Sequence, residues 1–144
     1  ADLVKVSLES GRILGRNTPS IELEMHRRIY LERPDVNAIV HTHSPFTIGV
    51  SISSNFVHIL EEAEIVVGVP ATIVNRPSGS KALAESVARE FRKGAHAVIV
   101  KNHGVVTVGK DIHHARAVVE SLEGWSKILT ISKIFGGARS LLRN

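Results

Sequence analysis

Apolar positions along the chain change period several times, and the changes divide it into elements. Residues 3–15 alternate around Ser10-Gly11-Arg12, which predicts two short strands joined by a turn. Asn17-Thr18-Pro19 predicts the start of a helix, with Thr18 as N-cap and Pro19 at the first helical position. Ile21, Met25 and Ile29 recur every fourth residue and give that helix an apolar stripe. Glu22, His26 and Tyr30 form a second stripe beside it. Pro34 disfavours helical geometry in the residue before it, so the helix ends near Arg33. Val36-Asn37-Ala38-Ile39-Val40-His41-Thr42-His43 then reads as an apolar strand ending in two histidines, and Ser44-Pro45 opens a second helix that runs to about Ser53.

Residues 54–64 show no clear period, and Glu61-Glu62-Ala63-Glu64 is expected as an exposed acidic turn. Ile65-Val66-Val67 and Thr72-Ile73-Val74 read as strands and Arg76-Pro77-Ser78-Gly79 as a loop. Ser80 caps a helix that buries Leu83, Val87 and Phe91 and stops at Gly94. Ala97–Val100 and Val105–Val108 are strongly apolar strands separated by Lys101-Asn102-His103-Gly104. Gly109-Lys110-Asp111 turns into a long last helix, with Ile112, Ala115, Val119, Leu122 and Ile128 expected inward. Gly136-Gly137 breaks it before a short basic tail. There are no internal repeats and no linker long enough to divide domains, so residues 1–144 are expected as one α/β domain, a single sheet covered by helices.

Composition narrows the chemistry. The chain has no cysteine, which excludes disulfides, thiolate ligands and cysteine nucleophiles, and any metal site must use histidine and carboxylate. The net charge is +4, but basic residues are scattered among acids and no basic stripe carries interleaved aromatics, so no nucleic-acid partner is expected. A modest positive balance suits a phosphorylated substrate. No apolar run is long enough to span a membrane, and residues 1–6 lack the plan of a signal peptide; a cytoplasmic protein without a membrane partner is expected.

Side chains alternate along a strand, so His41 and His43 point the same way and can offer two imidazoles to one cation. A stable site needs a third ligand and usually a fourth. Short His-x-His runs also arise by chance, and spacing alone leaves both readings open. Of the eight histidines, His103 has the most similar placement, at the end of an apolar strand in a tight turn before glycine. His113 and His114 lie at the solvent-facing start of a helix, and His58 and His96 stand alone. Glu22, early in the helix that leads into the histidine strand, is either a partner for that site or a surface carboxylate favoured by the helix dipole. His26 is either a supporting neighbour or a packed core residue.

Taken in order, Pro19-Ser20-Ile21-Glu22, His26, Arg33-Pro34-Asp35-Val36, His41-Thr42-His43-Ser44-Pro45 and Asn102-His103-Gly104 resemble the class II aldolase/adducin family. The branch most similar in pattern is the L-fuculose-1-phosphate aldolases. Gly79-Ser80 before a helix and Ala115, Glu120 and Lys127 on the last helix fit the same pattern, and the likeness runs from about residue 2 to about residue 134.

The resemblance implies a three-layer α/β/α domain with a mostly antiparallel sheet. It implies that His41, His43 and His103 bind Zn(2+) or another divalent transition metal, with Glu22 as a fourth ligand that leaves to become the catalytic base. The implied reaction is reversible retro-aldol cleavage of a ketose 1-phosphate, such as L-fuculose 1-phosphate, to dihydroxyacetone phosphate and an aldehyde through a metal-stabilised enediolate. Ser20, Gly79 and Ser80 are expected near the substrate phosphate, in a homotetramer. The same family includes pentulose-phosphate 4-epimerases, methylthioribulose-phosphate dehydratases and non-catalytic adducin-like interaction modules. The epimerases usually carry aspartate where Glu22 stands.

The chain departs from the family at three points. It begins after the N-terminal helical segment that carries a Gly-Asn phosphate loop. Ile21 stands where many aldolases have a small hydroxyl residue. The only tyrosine, Tyr30, lies outside the loop at about residues 56–64 that supplies the fuculose enzymes' proton donor.

Overall fold

The computed structural model describes residues 3–53, 56 and 60–137. A small hairpin comes first, β1 (Lys5–Val6) antiparallel to β2 (Ile13–Leu14). Arg27 fastens it to the body by donating from Nε to the Leu8 carbonyl and from Nη2 to the Glu9 carbonyl, both at 2.7 Å. The central sheet takes β3 (Ala38–Thr42), β4 (Ala71–Ile73), β5 (Ala97–Val100) and β6 (Gly104–Gly109) in the order β3-β6-β5-β4. β3/β6 and β6/β5 are antiparallel and β5/β4 is parallel, which gives the mostly antiparallel sheet expected.

Period-two alternation divides the sheet's side chains between two cores. Val98, Val100, Val106 and Val108 pack with Ile39 against α1 (Leu23–Glu32) and α4 (Lys81–Arg92), which supply Met25, Ile29, Leu83, Val87 and Phe91. Ala97, Ile99 and Val105 face the other way, against α2 (Pro45–Ser53), α3 (Glu61–Val67) and α5 (Ile112–Ile134). Trp125 and Leu122 of α5 are fully buried there. Because both faces are covered, β5 and β6 bury every residue, which is why they read as continuous apolar runs. His41 and His43 share the face of Ile39, the side on which α1 lies. The sheet thus turns its two strand histidines toward the helix that follows Glu22.

Several elements depart from the sequence expectation. The first helix begins at Leu23, four residues after Pro19. The Ser20 hydroxyl accepts from the Glu22 N–H at 3.2 Å and the Ser20 carbonyl accepts from Leu23 N–H at 3.1 Å, so a side chain and a turn take the bonds a longer helix would use. Ile21 is consequently 73% exposed and lies outside the stripe that buries Met25 and Ile29.

Glu61–Val67 is a helix where an acidic turn and a strand were expected. Three glutamates in its first turn favour the positive end of the helix dipole, and Ala63 and Val67, four residues apart, supply its buried face. The β-branched run Ile65–Val67 mimics a strand locally, but packing overrides the propensity. On α5, Ile112 and Ile128 are exposed, while Val118, Trp125, Ser126 and Leu129 join Ala115, Val119 and Leu122 inside. Ser80 caps α4 as predicted, its hydroxyl accepting from Leu83 N–H at 3.1 Å, and Asp111 caps α5 through His114 N–H at 2.7 Å. His58 and the basic tail lie outside the described residues.

Candidate functional site

Three elements meet where β3 ends. β3 delivers His41 and His43, and the tight turn between β5 and β6 delivers His103. That turn closes with His103 N–H donating to the Val100 carbonyl at 3.1 Å. It places Asn102 at φ +59°, a left-handed conformation that asparagine tolerates better than most residues. The three imidazole rings form a triangle with every pair of centroids 5.2 Å apart. One ligand atom from each lies within 4.8 Å of the others, and no other such group of three occurs among the described residues.

Glu22 completes the cluster from the start of α1. It is the N-cap residue, but its carboxylate makes no capping bond to its own helix. Instead Oε1 accepts from Gly79 N–H at 3.2 Å and lies 3.8 Å from Nε2 of His103. The reading of Glu22 as a surface carboxylate is set aside, because the residue is only 6% exposed. Glu24 fills the surface role, paired with Arg27 and Arg28.

Among the described residues, Glu22 Oε2, His41 Nε2 and His103 Nδ1 are buried without a hydrogen-bond partner. Leaving such atoms unpaired is costly, and a carboxylate among imidazoles with unmade bonds is the donor set of a divalent cation of zinc type. The separation of 3.8 Å between Glu22 and His103 is too long for a hydrogen bond. It is close to the spacing of about 3.4 Å that two ligands of one tetrahedral ion adopt. The residues present therefore fit a metal.

Local electrostatics favour neutral rings around the histidine cluster. Nδ1 of His41 lies 2.9 Å from the Val105 carbonyl oxygen, and donating there places the proton on Nδ1 and leaves Nε2 as a lone-pair donor. Burial lowers the His41 pKa, and the neighbouring His103 and His43 lower it further, against the opposing effect of the Val105 bond. His26, one turn beyond Glu22, is also pushed down, first by burial and then by His41. Both imidazoles are thus pushed toward the neutral form, which in His41 is the form able to bind a cation.

Gly79 and Ser20 stand beside Glu22. Gly79 has φ +72°, and a Cβ there would come 2.9 Å from the Ile21 carbonyl oxygen, so only glycine fits. Ser80 is half-buried at the head of α4. Tyr30 packs against the core beside Ile39, and burial raises its pKa.

No pattern in the sequence points to Glu123. Its carboxylate reaches from α5 to accept from the N–H groups of Phe46 and Thr47 at 3.1 and 2.9 Å and from the Thr47 hydroxyl at 2.8 Å. It thereby caps α2, the helix that begins two residues after His43. Glu123 and Thr47 are 76 residues apart, and no local signal marks such a pair.

Comparisons with known proteins add the family. A model of the class II aldolase and adducin N-terminal domain matches residues 1–130. An L-fuculose phosphate aldolase from Methanococcus maripaludis is 42% identical over 123 residues, 85% of this chain and 66% of that protein. A methylthioribulose-1-phosphate dehydratase from Methylococcus capsulatus is 32% identical over 128 residues, 79% of this chain and 62% of that protein. The chain thus spans just under two thirds of the length of these curated relatives. The crystal structure of L-fuculose-1-phosphate aldolase from Thermus thermophilus shares the fold, with a TM-score of 0.81 at 24% identity over 96% of this chain and 72% of that one. With the family model matching most of its length, the chain belongs to the class II aldolase and adducin family.

Proposed function

We propose that this domain carries the active site of a metal-dependent sugar-phosphate aldolase. The reaction is reversible cleavage of a ketose 1-phosphate, of the L-fuculose 1-phosphate type, to dihydroxyacetone phosphate and an aldehyde. The observation that carries this reading is the convergence of His41, His43 and His103 with a buried Glu22. The three imidazoles would hold Zn(2+) or a similar divalent cation, which when bound acts as a Lewis acid toward the substrate's oxygens.

Glu22 is the proton carrier. In the direction of synthesis its carboxylate removes a proton from the carbon next to the ketone, and in cleavage it returns that proton. A base in this place must sit beside the cation and be able to let go of it. A carboxylate at the start of a helix, held otherwise by one amide N–H of Gly79, suits that task. Gly79 then positions the base, and the hydroxyls of Ser20 and Ser80, whose oxygens already accept backbone N–H bonds, keep their protons for the substrate phosphate. The same reading takes the working enzyme to be a cytoplasmic homotetramer, in which exposed apolar residues such as Ile131 and Ile134 on α5 are covered.

The match to a methylthioribulose-1-phosphate dehydratase supports a second reading, loss of water from a related ketose phosphate at the same cation and base. An adducin-like binding module would have no use for three converging imidazoles beside a buried carboxylate. The test is to load the protein with Zn(2+), offer L-fuculose 1-phosphate, and follow release of dihydroxyacetone phosphate. Release that disappears in Glu22→Gln is the expected result. Inertness there, combined with water loss from methylthioribulose 1-phosphate, would select the second reading.

A further inference from the structure

Two imidazoles on one strand meet one cation only if their rings are held at a fixed separation. His41 has its Nδ1 contact to the Val105 carbonyl oxygen, but His43 is exposed, with no ring hydrogen bond among the described residues. Gly104 opens β6 directly after His103. A Cβ on it would stand 2.5 Å from the Thr42 carbonyl oxygen, 2.9 Å from Cδ2 of His43 and 3.1 Å from Cε1 of His41. Separations under 3.0 Å are essentially never seen for real Cβ atoms. Gly104 is not among the residues with positive φ, so the backbone does not call for glycine at this position; the space does.

We propose that Gly104 is a positioning residue of the metal site. Its missing side chain lets β6 lie flush against the edges of the His41 and His43 rings, and its backbone is the wall that sets where they stand. The inference rests on the metal reading above and extends it to a residue that offers no ligand atom. The same strand supplies its own control. Gly109, at the far end of β6, is crowded to a similar degree, its added Cβ falling 2.6 Å from Ala115 N and 2.8 Å from His114 Nδ1. That crowding involves none of the three histidines or Glu22.

The experiment compares Gly104→Ala and Gly109→Ala with the unsubstituted protein. Each is titrated with Co(2+), read by the intensity and position of its visible d–d bands, alongside melting followed by circular dichroism. Both variants are expected to melt earlier. Only Gly104→Ala is expected to bind cobalt roughly 10–100-fold more weakly, the usual cost of disturbing a residue that orients a ligand, and with altered bands. Gly104→Ala that melts early yet binds cobalt with unchanged affinity and bands would overturn the proposal.

Should Gly104→Ala fail to fold, carbon-13 relaxation of the histidine rings in the unsubstituted, metal-free protein decides. The proposal requires the His41 and His43 rings to be rigid before metal arrives, and mobile rings would overturn it. An unsubstituted protein that takes up no cobalt would overturn the metal reading itself, and this inference with it.

Discussion

At one end of the β3–β6 pair, His41 and His43 leave β3 beside Gly104. At the other, Ala38 pairs with Gly109, and Arg33, Asp35, His96, Lys110 and His114 line a shallow cavity. Both ends gather imidazole and charge, yet they use them differently. Arg33 donates to both carboxylate oxygens of Asp35 at 2.8 and 2.7 Å and to the carbonyls of Phe91 and Ala95 at 3.1 and 3.4 Å. That guanidinium holds the Asp35 carboxyl down at about 2. Its hydrogen-bonding capacity is spent on tying the end of α1 to the end of α4, and His96 beside it is exposed.

At the first end the groups converge, and three of them keep a buried atom without a partner. His41 Nε2, His103 Nδ1 and Glu22 Oε2 are buried with no protein partner among the described residues. His114 Nδ1 shares that condition at the far end, but no second or third ligand atom meets it there among the described residues. The number of histidines therefore does not mark a site. Three imidazoles converging beside a buried carboxylate do.

Substitutions can break this contrast, and the largest effect is expected from His103→Ala. It removes one ligand of three, and metal retention and turnover should both disappear, read by metal analysis and the cleavage assay on one sample. Glu22→Gln should leave most of the metal bound while lowering kcat by about 10²–10⁴-fold, the usual worth of a positioned base. Normal turnover in that variant would remove Glu22 from the role of base.

Acid should act on the site end next. His41 and His26 have pKa values lowered below the ordinary histidine value of 6.5 by burial, so the folded state resists protonating them. Their contribution is fully present above that value and is lost as the pH falls below it toward the depressed folded-state values, because the unfolded chain takes up protons first. Chemical denaturation of the metal-free protein from about pH 7.5 downward should show stability falling below about pH 6.5. A flat profile across that window would contradict the assignment of these two residues as buried neutral imidazoles.

The far end should respond in stability alone. Arg33→Ala removes the bonds to Phe91 and Ala95 and should cost on the order of 1–2 kcal/mol in denaturant unfolding, with metal uptake unchanged. His96→Ala should be smallest, within about 0.5 kcal/mol of the parent, as expected for an exposed side chain. Loss of metal in either variant would erase the distinction between the two ends.

Much of this architecture was legible because its signals are local. The alternation that turns His41 and His43 to one face, the Ser80 cap and the unbroken apolar runs of β5 and β6 each reside in a few consecutive residues. What escaped depends on distant partners. Ile65–Val67 has the β-branched composition of a strand, and only the packing of Ala63 and Val67 makes it helical. The start of α1 shifted because Ser20 and Glu22 serve the loop beside Gly79 instead of the helix. Glu123 caps a helix far away in sequence, and Gly104 matters for the rings beside it. The candidate ligand residues could be proposed from their spacing and family likeness, whereas the features that surround them required coordinates.

The central claim is that His41, His43 and His103 hold one divalent cation. Its most direct test is the metal content of the purified protein, measured beside His103→Ala by inductively coupled plasma mass spectrometry after exchange into metal-free buffer. One zinc or similar ion per chain in the parent, and none in the variant, is the result this account predicts. A parent that retains no metal even after reconstitution with Zn(2+), Co(2+) or Mn(2+) would contradict it.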